Sequence, residues 1–521
     1  MVLVDMVLKR SLVVTAGSRG YNRDESAAAH LPGDDHAGDG EASKCPRLEN
    51  ICTPLRNDHS PTLARLSAHT ASHSMECKPL TIAIIGGGTI GLILAAGLVR
   101  QKGIRVQLYE RASTFRNTGA GIAFTRCAIE CMERLNPVIA QTLRESGSVT
   151  SSSTKNDSKV YLRWVDGFNQ YENSDPYHQH LLYELDAGNN GFEGCRRDHF
   201  LEELLKKLPQ DVVQFGKNLV AIKQSTGEDK VVMSFEDGSV AEADAAIGCD
   251  GINSTVRAAM LGTQHPASRP RFSAKVAWRA LIPMDDAVKA LGEFKAKNTH
   301  SHVGPGANII TYPIARDSMI NVTIFTSQEK WLDEGRMVVG SGRDELAANF
   351  LGWHPCVQAL VRLFPTTIEK WGLFDMFDYP SPRYDRGLVC IAGDAAHASS
   401  PHHGVGSVMG VEDALCLSVL VQAAVGSISA GAARAPRALT TAWQVYNSMR
   451  YTRTQWLVNS SRRVVSLYHS ADWGDTERHT KAQLCFEEIK DRSFKIWHYD
   501  SSAMVRETIQ AYATRLMPSR L

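Results

Sequence analysis

The sequence predicts an α/β architecture in which a Rossmann-type dinucleotide-binding domain carries an inserted antiparallel-sheet domain and C-terminal helices. Three observations predict it. Leu80 to Ile85 is a continuous apolar, β-branched run, GGGTIG follows, and GLILAAGLVRQKG then keeps helical spacing to a glycine stop at Gly103. Further on, KVAWRALIP, ANIITYPIA and SMINVTIFT alternate or cluster apolar and β-branched residues, the pattern of an antiparallel sheet. Beyond about residue 408 the chain reads as helical, interrupted by AAVGSISAGAARAPRA, a predicted surface loop.

Within the first element, Gly86, Gly88 and Gly91 satisfy G-x-G-x-x-G. The first glycine allows the tight turn, the second lets backbone approach a pyrophosphate, and the third packs helix on strand. The helix N-terminus then offers free N–H groups to phosphate. A second strand, Val106 to Tyr109, ends at Glu110, nineteen residues after Gly91, where a carboxylate accepts hydrogen bonds from ribose hydroxyls. The same stretch, Ile82 to Val99, is long and apolar enough to suggest a membrane span. Its five glycines and the strand, turn and helix pattern argue against one.

Two further glycine-acid turns lie far downstream. AIGCDGINSTVR ends a strand at Asp250 and Gly251, with Arg257 two turns on. GLVCIAGDAA delivers Gly393 and Asp394 into a turn, and Gly404 and Gly406 then open another helix with a second anion-binding end. Three such turns exceed what a simple NAD fold requires, and they point to FAD.

Composition narrows the partners. The 57 basic and 56 acidic residues of the 521 nearly cancel, so charge predicts no nucleic acid and no anionic membrane, and favours a small neutral or weakly acidic ligand. The 11 cysteines are odd in number and form no CxxC pair, which predicts neither disulfides nor zinc and a reducing, cytoplasmic setting. Residues 1–78 lack an apolar period and read as a disordered extension, and a start at Met75 would lose no fold element. Asp394, His397, His402 and His403 mix acid and imidazole, but their spacing reads as a cofactor-contacting turn, and no metal is expected. Cys127 and Cys131 read as buried helix cysteines. Arg450, Arg453, Arg462 and Arg463 lie among Trp456, Leu457, Val464 and Val465 on a helix from Thr440 through Tyr468, whose one face should pack.

GGGTIG with Glu110, CDGINSTVR and GDAAHASSPHHGVG, in that order, resemble the fingerprints of the class A FAD-dependent aromatic monooxygenases, the salicylate hydroxylase and para-hydroxybenzoate hydroxylase relatives. The resemblance spans roughly residues 78 to 515. The family's GAGI segment is Gly119 to Ile122, and CRRDHFLEELLKKLP resembles its flavin-contacting arginine helix. By this resemblance Glu110 holds the adenosine ribose, Ala123 and Arg197 line the cofactor, Asp394 meets the ribityl and pyrophosphate region, and Gly404, Gly406 and Ser407 approach the isoalloxazine. The stretches LRWVDG, YELDAGNNGFEGCRRDHFLE, HVGPGANIITYPIA, SSRRVVSLY and FEEIKDRSFKIWHYD are most similar to fungal enzymes that dearomatise polyketide phenols in tropolone, azaphilone and sorbicillin pathways. In that subgroup an arginine and a tyrosine hold the substrate, and they match Arg279 and Tyr312. By their sequence surroundings alone, both residues also fit structural roles: a buried salt bridge for Arg279, a core hydroxyl for Tyr312.

The resemblance implies a para-hydroxybenzoate hydroxylase-like organisation: a first FAD-binding part at 79–267, a substrate domain at 268–385, a second FAD-binding part at 386–420 and a helical region at 421–521. It implies a monooxygenase that takes NAD(P)H, NADPH being favoured, and O2, and hydroxylates a phenol through a C4a-hydroperoxyflavin. The alternative is a salicylate-type decarboxylating hydroxylase, which displaces a ring carboxylate as carbon dioxide. Oligomeric state is left open.

Overall fold

The computed structural model describes residues 78–517 apart from 115–120, 147–148, 151–159, 189–191, 225–228, 315–317, 334 and 470–472. The predicted extension up to Cys77, and Gly119 and Ala120 of the GAGI segment, lie outside the described residues.

Leu80–Ile85 is the central strand of a six-stranded sheet ordered Asp385–Arg386, Val389–Ile391, Ala245–Gly248, Leu80–Ile85, Ile104–Tyr109, Val213–Gln214. All neighbours run parallel except the short hairpin of the first two strands. Helices cover it on its faces, which is why its central strands Leu80–Ile85, Ala245–Gly248 and Val389–Ile391 are nearly continuous in apolar residues rather than alternating. The helix after GGG spans Thr89–Leu98, shorter than the apolar run suggested, and Val99 caps it. The stretch Ile82 to Val99 is thus strand, turn and helix, with Ile82, Leu92, Ile93 and Leu94 wholly buried.

The topology gathers what the sequence scatters. Four adjacent parallel strands end, side by side, in Gly393 and Asp394, in Asp250 and Gly251, in Gly86, and in Glu110. Ligands of open parallel sheets bind outside the carboxyl ends of the strands.

The second sheet has eight strands, ordered Val338–Gly342, Thr367–Asp375, Arg271–Pro283, Met319–Ser327, Ala307–Ile314, His300–Gly304, Val160–Asp166, Leu181–Asp186. Its middle is antiparallel, as the three alternating runs predict. Two of its strands come from outside the 268–385 segment. One face is apolar: Val276, Trp278, Ile309, Val322 and Ile324 pack with Leu291, Val357 and Leu360 from the helices Met284–Leu291 and Pro355–Arg362. The other face carries Ala277, Arg279, Asn321, Thr323, Phe325, Asn308, Ile310 and Tyr312.

After the second sheet come the helices Gly406–Ser429, Ala435–His469, Arg478–Trp497 and Ser501–Leu516. The predicted loop AAVGSISAGAARAPRA shrinks to five residues, 430–434. Its alanines favour helix, Ala424 and Ala438 are buried, and Gly431 at φ +67° makes the break. Gly406–Ser429 is long and apolar enough to cross a membrane by length and composition, with 78% of that stretch buried in the fold.

Arg450 joins these helices to the first sheet. It is fully buried between Glu412 and Asp413, each at 2.8 Å. Asp413 also receives the Gly393 N–H at 3.0 Å and meets His397 Nε2 at 2.6 Å. Burial opposes ionisation of Asp413, but His397 and Arg450 outweigh it and hold the carboxyl well below the usual carboxylate range. Arg453 pairs with Glu412, Arg462 with Asp375 and Arg463 with Glu488, so the four arginines sit in structural ion pairs. Cys127 and Cys131 are buried on the helix Arg126–Leu135.

Removing one member of a buried ion network leaves charges without a partner, at a cost of about 3–5 kcal/mol. Arg450→Met is therefore expected to lower unfolding free energy by about that much, read from the midpoint of urea denaturation, whereas Arg463→Met at the exposed pair should change it by under about 1 kcal/mol.

Candidate active site

Each glycine of the first turn has a separate physical reason. Gly86 takes φ +103°, and a Cβ there would fall 2.5 Å from the Cys249 carbonyl oxygen of the neighbouring strand. At Gly91 a Cβ would fall 1.9 Å from the Gly86 carbonyl oxygen, so only glycine lets the helix seat on the turn. A Cβ at Gly88 meets no atom within 4 Å. That open side faces the helix N-terminus, where phosphate is favoured.

Glu110 closes this end of the site. Its carboxylate accepts the Gly87 N–H at 2.6 Å and the Ala112 N–H at 2.8 Å. Two carboxylate oxygens offer about four lone-pair sites, which leaves capacity for ribose hydroxyls. Arg197 begins the helix Arg197–Lys206, directly after the strand Phe192–Arg196. That strand pairs with Gly121–Thr125, placing the fully buried Ala123 opposite Gly194. Burial draws the Arg197 guanidinium below its usual pKa, against the attraction of Glu110, Asp198 and Asp394. The arginine thus stands among the acids of two turns that the sequence keeps far apart.

Arg257 fastens the other turns to each other. It is fully buried, and its guanidinium donates to the carbonyls of Ile252 at 2.6 Å, Ala395 at 2.8 Å and Ser268 at 3.3 Å. Sequence reasoning noted this arginine but gave it no role. It missed Glu412 and Asp413 altogether, because an acid inside an apolar helix gives no local sign of the turn it supports.

Gly404, Gly406 and Ser407 follow the one-turn helix Pro401–His403 and start the helix Gly406–Ser429. His397, His402 and His403 do not converge: they bond to Asp413, Ser400 and Ser460 respectively. Buried polar atoms with no hydrogen-bond partner among the described residues include Thr89 Oγ1 just after the glycine turn, Arg197 Nε, and His402 Nε2 and Ser407 Oγ at this loop. Buried polar groups are nearly always satisfied. Such a set, together with the open space at Gly88 and the acid at Glu110, fits an extended dinucleotide carrying phosphate, ribose and a polar ring.

On the sheet side, Tyr312 is 2% exposed and lines a cavity of about 60 Å³. Its other walls include Trp164, Phe192, Trp497, His402, His403 and Gly404. Trp164, Phe192 and Trp497 come from the stretches LRWVDG, YELDAGNNGFEGCRRDHFLE and FEEIKDRSFKIWHYD, in which sequence reasoning assigned these aromatic residues no role. Phe325 meets the His402 ring at 4.9 Å, so this sheet face looks onto the Pro401–Gly404 turn. Arg279 shares the face, aligned through Thr323 with Ile310, two residues before Tyr312. Two strand spacings and two residues put the Cα atoms of Arg279 and Tyr312 about 12 Å apart. Arg279 is not a wall of the small cavity; its guanidinium lies 6.0 Å from the Trp371 ring centre.

Residues 79–430 match a family model described as an FAD binding domain. A salicylate hydroxylase of Sarocladium schorii is 49% identical over 445 residues, covering 84% of this chain and 92% of that relative. An FAD-dependent monooxygenase of a Phoma species is also 49% identical, over 437 residues, 82% of this chain and 97% of the relative. Among solved structures, a salicylate hydroxylase in complex with its substrate superposes with a TM-score of 0.69 at 26% identity, covering 83% of this chain and 98% of that one.

Two predictions test this geometry. Arg197→Met should weaken FAD binding to the apoprotein about 10- to 100-fold, the loss of charge-assisted hydrogen bonds, measured by quenching of flavin fluorescence. Burial also pushes His402 and His403 down to about 3, while the unfolded chain takes up these protons below about 6.5. The unfolded state then binds more protons, so stability falls as pH drops from about 6.5 towards about 4. In denaturant titrations across that range, His403→Gln should reduce proton uptake on unfolding by about one.

Proposed function

The chain belongs to the FAD-dependent monooxygenases, and from that premise we propose that it hydroxylates, with loss of aromaticity, a polyketide-derived phenol of the orcinaldehyde or alkyl phenyl ketone type. NADPH is the favoured reductant, O2 the co-substrate, and secondary metabolite biosynthesis the setting. The observation that carries the reading is the sheet face bearing both Arg279 and Tyr312, turned towards the Pro401–Gly404 turn.

Held by the glycine turn, Glu110 and Arg197, FAD would supply the redox chemistry, by which NADPH and O2 give one oxygen atom to the ring and one to water. The protein must make the ring a good nucleophile. A phenol ionises near pH 10 in water. The permanently charged Arg279 guanidinium favours the phenolate and fixes its direction through a forked donor. Tyr312 donates to the same oxygen or to an ortho carbonyl, which selects the carbon presented for attack. Trp164, Phe192 and Trp497 supply dry walls that exclude water from the reacting atoms. At about 60 Å³ that cavity is smaller than common ligand pockets, so a ring enters only as the walls part. Attack at a carbon that already carries an alkyl group cannot restore aromaticity by proton loss, and the product is a hydroxylated dienone.

A salicylate-type decarboxylating hydroxylation is the second reading, favoured by the Sarocladium schorii relative's name. Incubation with orcinaldehyde-type phenols and with salicylates separates them: a hydroxylated dienone supports the first, carbon dioxide and a catechol the second. Arg279→Met is expected to lower product formation by at least about 100-fold with FAD still bound, read by product mass spectrometry. Near-normal turnover would remove the phenolate role.

A further inference from the structure

A second cavity, of about 450 Å³, lies on the opposite side of the large sheet from Tyr312. Small-molecule sites occupy about 300–1,000 Å³. Side chains alternate between the faces of a strand, so on Val160–Asp166 the residues Arg163 and Val165 line this cavity while Leu162 and Trp164 line the one beside Gly404. The two spaces share a wall and no lining residue. Overhead stand Phe294 and Lys295 of the short helix Glu293–Ala296.

Charge is unevenly settled there. Arg163 pairs with Glu184 at 2.7 Å and Glu293 with Lys297 at 2.5 Å. Asp175 accepts the Tyr177 N–H at 2.9 Å. Lys295 is only 8% exposed, and its ammonium donates to the Tyr177 carbonyl, with no carboxylate at ion-pair distance among the described residues. Burial disfavours this ammonium more than the nearby Cys356 and Asp175 stabilise it, and an entering anion would offset that cost. The guanidinium of Arg163 keeps N–H groups beyond the one given to Glu184 and lies 5.2 Å from the Phe294 ring centre. Around the mouth, Tyr177, Leu181 and Phe294 are 36%, 45% and 60% exposed, an apolar rim that solvent alone does not favour.

We propose that this cavity is a second binding site, for a small aromatic carboxylate, whose anionic group meets Lys295 and Arg163 and whose ring lies against Phe294 and Leu181. It is separate from the monooxygenase site and does not depend on which phenol that site takes.

Fluorine NMR of the FAD-loaded full chain with 4-fluorobenzoate tests it. The expected result is a bound probe whose affinity falls about 10-fold or more in Lys295→Met and clearly in Phe294→Ser, with flavin absorbance unchanged, and which survives Arg279→Met. Phe294 is largely exposed, so its variant carries the test if Lys295→Met does not fold. Binding that ignores both variants, binding lost only with Arg279→Met, or no bound probe at millimolar concentration overturns the proposal. Failure there leaves the hydroxylation reading intact, and loss of turnover in Arg279→Met leaves this site intact.

Discussion

The ion network of Asp413, Arg450, Glu412 and His397 is the constraint on which the rest of the molecule depends. It sits where no water reaches, and its members come from the turn after Val389–Ile391, the helix Gly406–Ser429 and the helix Ala435–His469. Asp413 grips the Gly393 backbone, which sets the turn that presents Asp394. A charge cluster this deep is a costly way to join elements compared with apolar packing. What it supplies is a single geometry: the bonds are directional, and a slipped helix would leave several charges buried and unmatched.

From that anchor the cofactor seat follows as a consequence of strand order. Gly86, Glu110, Asp250 and Asp394 lie far apart in the chain but at the ends of neighbouring parallel strands. Arg257 then ties the Asp250 turn to the Asp394 turn through backbone carbonyls, and Arg197 stands among the carboxylates of Glu110 and Asp394. The proposed substrate side is assembled differently, from the half-polar face of the second sheet, the Pro401–Gly404 turn and aromatic side chains of the C-terminal helices.

Features with a local cause were legible in the sequence. The strand, turn and helix around Gly86 and the three antiparallel runs announce themselves through period and glycine placement, and each appears in the structure. The loop predicted around Ala423 to Ala438 failed because glycine and alanine were read as loop formers where burial made them helix. Glu412, Asp413 and the aromatic walls Trp164 and Trp497 stayed invisible in role, since what each contacts is set by elements hundreds of positions away. Arg279 and Tyr312 are an intermediate case: period tells which neighbours share each one's face, but only strand order and register put the two on one face, turned towards the Pro401–Gly404 turn.

The contrast between the two halves of the site bears on how such an enzyme can diversify. At Gly91 the next atom is closer than a bond-length addition could tolerate, so that position is frozen by geometry. The walls around Tyr312 are contributed piecemeal by separate strands, the Pro401–Gly404 turn and the C-terminal helices. If, as proposed, that cavity receives the reactant, substitution in its walls changes which ring fits beside Gly404, whereas Gly91 allows no such change.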